Sequence, residues 1–266
     1  MPRPALLATL VLLAASAARA EDKARDFCAD RPGRGSPPCV IDVGRVQLEA
    51  SFVDFTHEDH AGAITDTTLY GDLAARLGVT PTGEAQLAFS PHVRSYQKDA
   101  GGVSRTAGYS DLTLAWRQSI RNPDGSGVSI ALQPFLTAPI GKRGFGAGAW
   151  QGGVTAPIAL PLPAGFGLAL TPQLAVMHDA AQHGRHLAAT GVVGLSHPAG
   201  SFSLSAELYV NYDADPAGHT TQKTFDLSAA WMLPHVKDTQ LDLGLNAGLD
   251  RNTPAHEIYA GIAHRF

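Results

Sequence analysis

The sequence predicts an all-β fold, a closed antiparallel transmembrane barrel of about twelve strands, and three observations predict it. Polar and apolar residues alternate with period two from Gly44 onward. The links between alternating segments are long and short by turns, and the chain stops on a strand-like run ending in an aromatic, Phe266.

Residues 1–20 read as a secretory signal: Arg3 supplies the basic start, Ala5 to Ala17 the apolar stretch, and Ala18-Arg19-Ala20 the small-x-small cleavage site. The apolar stretch is too short for a membrane-spanning helix, which needs about 20 residues. Losing Arg3 and Arg19 lowers the formal net charge from −4 to −6, and no basic cluster remains, so nucleic acid is not an expected partner. Residues 21–43 form an N-terminal segment expected on the periplasmic side. Cys28 and Cys39 lie there, exported to an oxidising compartment, and are expected to form a disulfide. Between them Pro32, Gly33, Gly35, Pro37 and Pro38 rule out a regular element.

Residues 44–266 carry the alternation. Leu69, Gly71, Leu73, Ala75, Leu77 and Val79 share one face, against Thr68, Tyr70, Asp72 and Arg76. Phe202, Leu204, Ala206, Leu208 and Val210 oppose Ser203, Ser205, Glu207 and Asn211. Candidate strands begin near residues 45, 67, 84, 110, 127, 149, 166, 186, 201, 224, 239 and 257. Each is roughly 9–13 residues, the length a tilted strand needs to cross a bilayer. Long polar connections are expected at 56–66, 97–109 and 213–223, with tight links at 78–83, 197–200 and 234–238. This two-level pattern places both termini in the periplasm.

The chemistry of the two faces separates a barrel from a sandwich. A sandwich would turn the polar face to water and bury the leucines between two sheets. A closed barrel in lipid does the reverse, and closure satisfies every backbone N–H without an exposed edge. The predicted lumen set is Glu49, Asp72, Arg76, Arg94, Asp111, Arg117, Glu207, Asp226, Glu257 and Arg265. Such charges could brace the lumen or select solutes passing through it. Trp116, Trp150, Trp231, Tyr96, Tyr209 and Tyr212 fall near strand ends, where amphipathic rings suit a headgroup belt. The run Ile258 to Phe266 resembles the C-terminal signal read by the barrel-assembly machinery, with Phe266 as its terminal aromatic.

Several segments are similar to one family. Cys28-Ala29-Asp30-Arg31-Pro32-Gly33, Pro37-Pro38-Cys39 and Gly44-Arg45-Val46-Gln47-Leu48-Glu49 resemble the opening of outer-membrane transporters grouped as "MetA-pathway of phenol degradation". Gly108 to Leu114 and Gly248 to Pro254 resemble the same family. Ala255 departs from the acidic residue expected after Thr-Pro, and His264 from an aromatic in the last strand. The resemblance implies an outer-membrane barrel passing small hydrophobic or aromatic molecules.

Catalytic signatures are thin. No Gly-x-Ser-x-Gly elbow and no His-Glu-x-x-His pair occurs, so an esterase of the outer-membrane lipase type is the weakest expectation. His178, His183 and His186 are spaced to chelate a divalent metal, yet loop flexibility and the absence of groups to orient the rings favour solvated loop residues, and no metal or cofactor is expected. The expected protein is a monomeric channel in outer-membrane lipid that passes small-molecule solutes. A plugged structural or adhesive barrel is its rival.

Overall fold

A computed structural model describes residues 24–181 and 184–266; the predicted signal peptide and His183 lie outside them. The strand segments are β1 Val46–His60, β2 Ala63–Tyr70, β3 Leu73–Thr80, β4 Gly83–Phe89, β5 His92–Asp99, β6 Gly102–Gly108, β7 Leu112–Arg121 and β8 Ser129–Ala138. The second half holds β9 Gln151–Thr155, β10 Ile158–Pro161, β11 Gly167–His178, β12 Arg185–Ala199, β13 Phe202–Asp213, β14 Thr220–Met232, β15 Thr239–Gly248 and β16 His256–Arg265. Four barrel strands are each made of two segments: β2 with β3, β4 with β5, β6 with β7, and β9 with β10. The result is a closed antiparallel barrel of twelve strands. Closure is by β1 against β16, from Gln47 opposite Arg265 to His57 opposite His256.

Burial is inverted relative to a soluble fold. Leu243 is 62 % exposed on the outer face while Arg117 is 0 % exposed inside. Leu114, Leu174, Leu187, Leu208 and Ile258 join Leu243 in the outward apolar band, and Gln47, Glu49, Arg76 and Glu84 join Arg117 within. Apolar surface turned outward all round is stable only against lipid, and the closed ladder leaves no backbone edge there. Rings mark the rim at the end holding the termini: Phe202 stacks on Trp231 at 5.8 Å, and His264 meets Phe266 edge-on at 4.5 Å. Phe266 is tied in by its N–H, which donates to Val46 O at 2.8 Å.

Two of the expected long connections are strands instead. β1 runs to His60 and turns to β2 through Ala61 and Gly62, both at positive φ, so residues 56–66 form a hairpin projecting beyond the barrel. Residues 97–109 behave alike, β5 turning into β6 between Asp99 and Gly102. Polar residues alternate across both hairpins without an apolar face, so periodicity alone reads them as loop.

One row of irregularities crosses four neighbouring strands. An extra residue lies between Ser51 and Val53, between Tyr70 and Asp72, at Ser90–Pro91, and at Tyr109–Ser110. Serines close the gaps: Asp72 N–H donates to Ser51 Oγ at 3.0 Å and Ser90 N–H to Ser110 Oγ at 2.8 Å. Each extra residue reverses the faces beyond it. Leu69 therefore pairs with the inward Asp54, and Thr68 with the outward Phe55. Gly71 is the extra residue of its strand, at φ +65. Gly71→Val forces a β-branched side chain into the left-handed region, and a loss of about 1–3 kcal/mol is expected. The check is the urea midpoint at which the folded gel band disappears; an unchanged midpoint would sink this account of the bulge.

Candidate functional site: a lumenal segment and its charged clamp

The segment expected at the mouth enters the barrel instead. Residues 27–31 run inward, 32–36 form an apex, and 37–41 return. The Cys28–Cys39 disulfide joins the two legs at the base. Prolines and glycines keep this chain out of any ladder; Val40 N–H donates to Pro123 O at 2.9 Å, and most of its other backbone groups need side-chain partners. The lumen wall supplies them. Cys28 O accepts from Gln47 Nε2 at 3.0 Å and Arg76 Nη1 at 2.7 Å. Asp30 and Arg31 N–H donate to the Glu49 carboxylate at 3.0 and 2.9 Å. Returning, Cys39 O accepts from both Arg76 and Arg117 at 3.3 Å, and Ile41 N–H donates to Glu84 at 2.8 Å.

At the apex, Gly33 N–H donates to Tyr259 Oη at 3.0 Å and Arg34 N–H to Glu207 at 2.7 Å. Gly33 has φ +100, and a Cβ there would approach the Glu207 carboxylate to 2.9 Å. Glycine answers both demands, the backbone sign and the close carboxylate. Ser36 N–H reaches Thr171 Oγ1 at 3.1 Å.

Ion pairs reinforce the backbone contacts. Asp30 takes both Nη atoms of Arg117 at 2.9 and 3.0 Å. Arg31 Nη2 meets Asp242 at 2.8 Å. Arg34 bonds Glu257, faces Asp226 at 3.6 Å, and lies 4.6 Å from the Tyr209 ring centroid. Within the wall, Arg76 Nε bonds Glu84 at 2.8 Å with both side chains fully buried. Buried charges survive only when paired and hydrogen-bonded, and here the partners come from both wall and segment.

Seven of the expected lumen residues thus converge on the segment: Glu49, Arg76, Arg117, Glu207, Asp226 and Glu257, with Arg265 at the base. Arg265 Nη1 donates to Asp26 O at 3.3 Å, and Nη2 pairs with Asp238 at 3.1 Å. Asp72 accepts from Ser90 Oγ at the row of bulges. Asp111 pins the loop 139–150 by accepting Gly141 and Ala147 N–H, each at 2.7 Å. Arg94 does not join them. The bulge at Ser90–Pro91 turns it outward, and its guanidinium lies 5.5 Å from the exposed Tyr70 ring. Tyr209, expected at the rim, faces inward beneath Arg34. Sequence reasoning passed over Asp30, Arg31, Arg34 and Tyr259. The signal available was three charges inside a Pro/Gly segment with no other partner nearby.

Of the histidine set, His183 lies outside the described residues and His186 is held by carboxylates. His186 lies between Asp179 (Nδ1, 2.8 Å) and Asp213 (Nε2, 2.7 Å). Beside it, Ala180 and Ala217 N–H donate to Asp215, which holds that carboxyl below its ordinary range. Among the described residues no group of His, Cys, Asp or Glu is arranged to hold a metal.

Cavities lie beside the segment and at the bulges. One of about 570 Å³ lies between the segment and the wall, bordered by Ala169, Ser196 and Ser203. Another of about 360 Å³ lies at the bulges, bordered by Asp72, Phe89, Asp111 and Phe145.

Comparison with known proteins agrees with this architecture. The barrel is similar to the crystal structure of an outer membrane channel from Pseudomonas putida F1, with TM-score 0.71 and 16% identity, covering 89% of this chain and 99% of that one. It is similar to the beta domain of the Bordetella autotransporter Brka, with TM-score 0.53 and 14% identity over 85% of this chain and 100% of that one. The porin NanC matches with TM-score 0.50 and 6% identity over 82% and 98%. At these identities the likeness concerns the fold. A search of curated proteins finds no match. The family model described as "Putative MetA-pathway of phenol degradation" matches residues 29–266.

Proposed function

We propose that this chain, which belongs to the "Putative MetA-pathway of phenol degradation" family, is a passive outer-membrane channel for small hydrophobic or aromatic solutes, gated by its own N-terminal segment. Residues 1–20 direct export, the barrel-assembly machinery reads the strand ending at Phe266, and both termini face the periplasm. The protein acts as a monomer and performs no chemistry on the solute. Support for the solute class is the family description; support for a channel is the barrel and its likeness to the Pseudomonas putida outer membrane channel.

One observation carries the gating. The segment is held by side-chain hydrogen bonds and ion pairs and by one backbone bond from Val40 N–H to Pro123 O, and strand pairing closes the barrel without it. It can therefore shift without breaking a ladder. The lumen charges serve as its clamp, and those freed when it moves act as the filter. The alternative, a permanently plugged scaffold, draws on the same segment and predicts silence.

Planar-bilayer recording of the refolded protein tests the proposal. Small discrete conductance steps are expected. With Cys28→Ser and Cys39→Ser together, the legs are untied and longer open dwells are expected. A folded barrel that passes no current with or without the disulfide would favour the scaffold.

A further inference from the structure

The inward residues are unevenly distributed around the end that holds the termini. Gln47 and Glu49 of β1, Arg76 of β3, Glu84 of β4, Arg117 of β7 and Asp242 of β15 crowd one crescent, and the segment leans on them. The opposite crescent, β10 to β14, is lined by Gly167, Ala169, Ser196, Ser203, Ser205 and Ala230, and the cavity of about 570 Å³ lies along it. Larger side chains line it at Leu160 and Met232, and the small ones between leave an open gap beside the segment up to its apex.

At the apex the gap closes. A side chain added to Gly35 would meet Glu207 Oε1 at 3.0 Å, Thr171 Oγ1 at 3.5 Å and Val192 at 3.7 Å. Ser36 already bonds Thr171. Of the charges bordering this route, Asp30 is paired with Arg117 and Arg31 with Asp242, while Glu207 accepts the N–H groups of Arg34 and Gly35 and keeps its negative charge.

Resting on the channel reading above, we infer that solutes pass on one side of the segment, along the small-residue crescent of β10–β14, and that the contact of Gly35 and Ser36 with Thr171, Val192 and Glu207 is the constriction they must open. The route favours uncharged molecules over anions, because an anion would leave water for hydroxyl and methyl groups beside the carboxylate of Glu207.

Thiol-reactive block of a single cysteine tests the route. Among the described residues the wild-type chain has no free cysteine, so the reagent has no thiol there to modify. Ser203→Cys places a thiol on the crescent, and Leu204→Cys places one on the outer face beside it. A bulky methanethiosulfonate reagent added on the side of the termini is expected to lower Ser203→Cys conductance by about half or more and leave Leu204→Cys unchanged. Mass spectrometry reports the labelling. Labelled Ser203→Cys with unaltered current overturns the route, as does a Ser203→Cys protein whose introduced thiol the reagent cannot reach. Silence of both the wild-type protein and the Cys28→Ser/Cys39→Ser double variant overturns the channel reading itself. A cation-to-anion permeability ratio above one is expected for the resting channel; a preference for anions overturns the assignment against anionic solutes.

Discussion

Deletion of residues 24–43 is expected to raise the single-channel conductance about fivefold or more while leaving a folded, heat-modifiable barrel. The segment runs up the lumen from its base to the level of Glu207 and Glu257, and no strand pairs with it. Removing it exchanges its contacts for water, which enters a lumen whose walls are already polar. The selectivity should change as well. Glu49, Asp54, Asp72, Glu84, Glu207, Asp226, Asp242 and Glu257 then face Arg76, Arg117 and Arg265 alone, so carboxylates outnumber guanidinium groups and cations are favoured. Reversal potentials across a salt gradient read this directly. Steps of unchanged size from the deleted protein would show that the segment does not occlude the path.

Arg76→Ala is expected to be the most damaging single substitution, costing roughly 3–5 kcal/mol. Its guanidinium is fully buried, bonds Glu84 at 2.8 Å, faces Glu49 at 3.5 Å, and donates to the carbonyls of both cysteines. Truncation leaves two buried carboxylates short of a cation and releases both legs of the segment together. Arg76→Lys should recover only part of the loss, since a single ammonium cannot reproduce the fork that spans Glu84 and Cys39 O. Arg94→Ala is the contrast, because Arg94 is exposed outside the barrel; a change within about 0.5 kcal/mol is expected. The measurement is the urea concentration at which the folded band is lost on unheated gels. Equal midpoints for Arg76→Ala and Arg94→Ala would remove the clamp from the account.

Strand order, antiparallel closure and the polar character of the lumen follow from period-two alternation, which reports each residue's face wherever register is unbroken. Leu48 beside Glu49 and Leu208 beside Glu207 were legible for that reason. So was the cysteine pair, because two cysteines at short spacing leave few alternatives. Alternation fails where a strand gains a residue. Pro91 and Gly71 look like interruptions in the chain, but whether a break resets the faces depends on the neighbouring strands, and so Arg94 was placed on the wrong side.

The amino-acid sequence by itself determined a barrel with charged residues inside, because hydrophobic patterning is a local property of each strand. Only the tertiary structure decided what those charges do. Arg31 meets Asp242 and Gly33 meets Tyr259 across separations of 211 and 226 residues, in a segment with no periodicity to read. A proline- and glycine-rich chain finds its hydrogen bonds wherever the closed wall offers them, and that wall exists only after β1 has met β16.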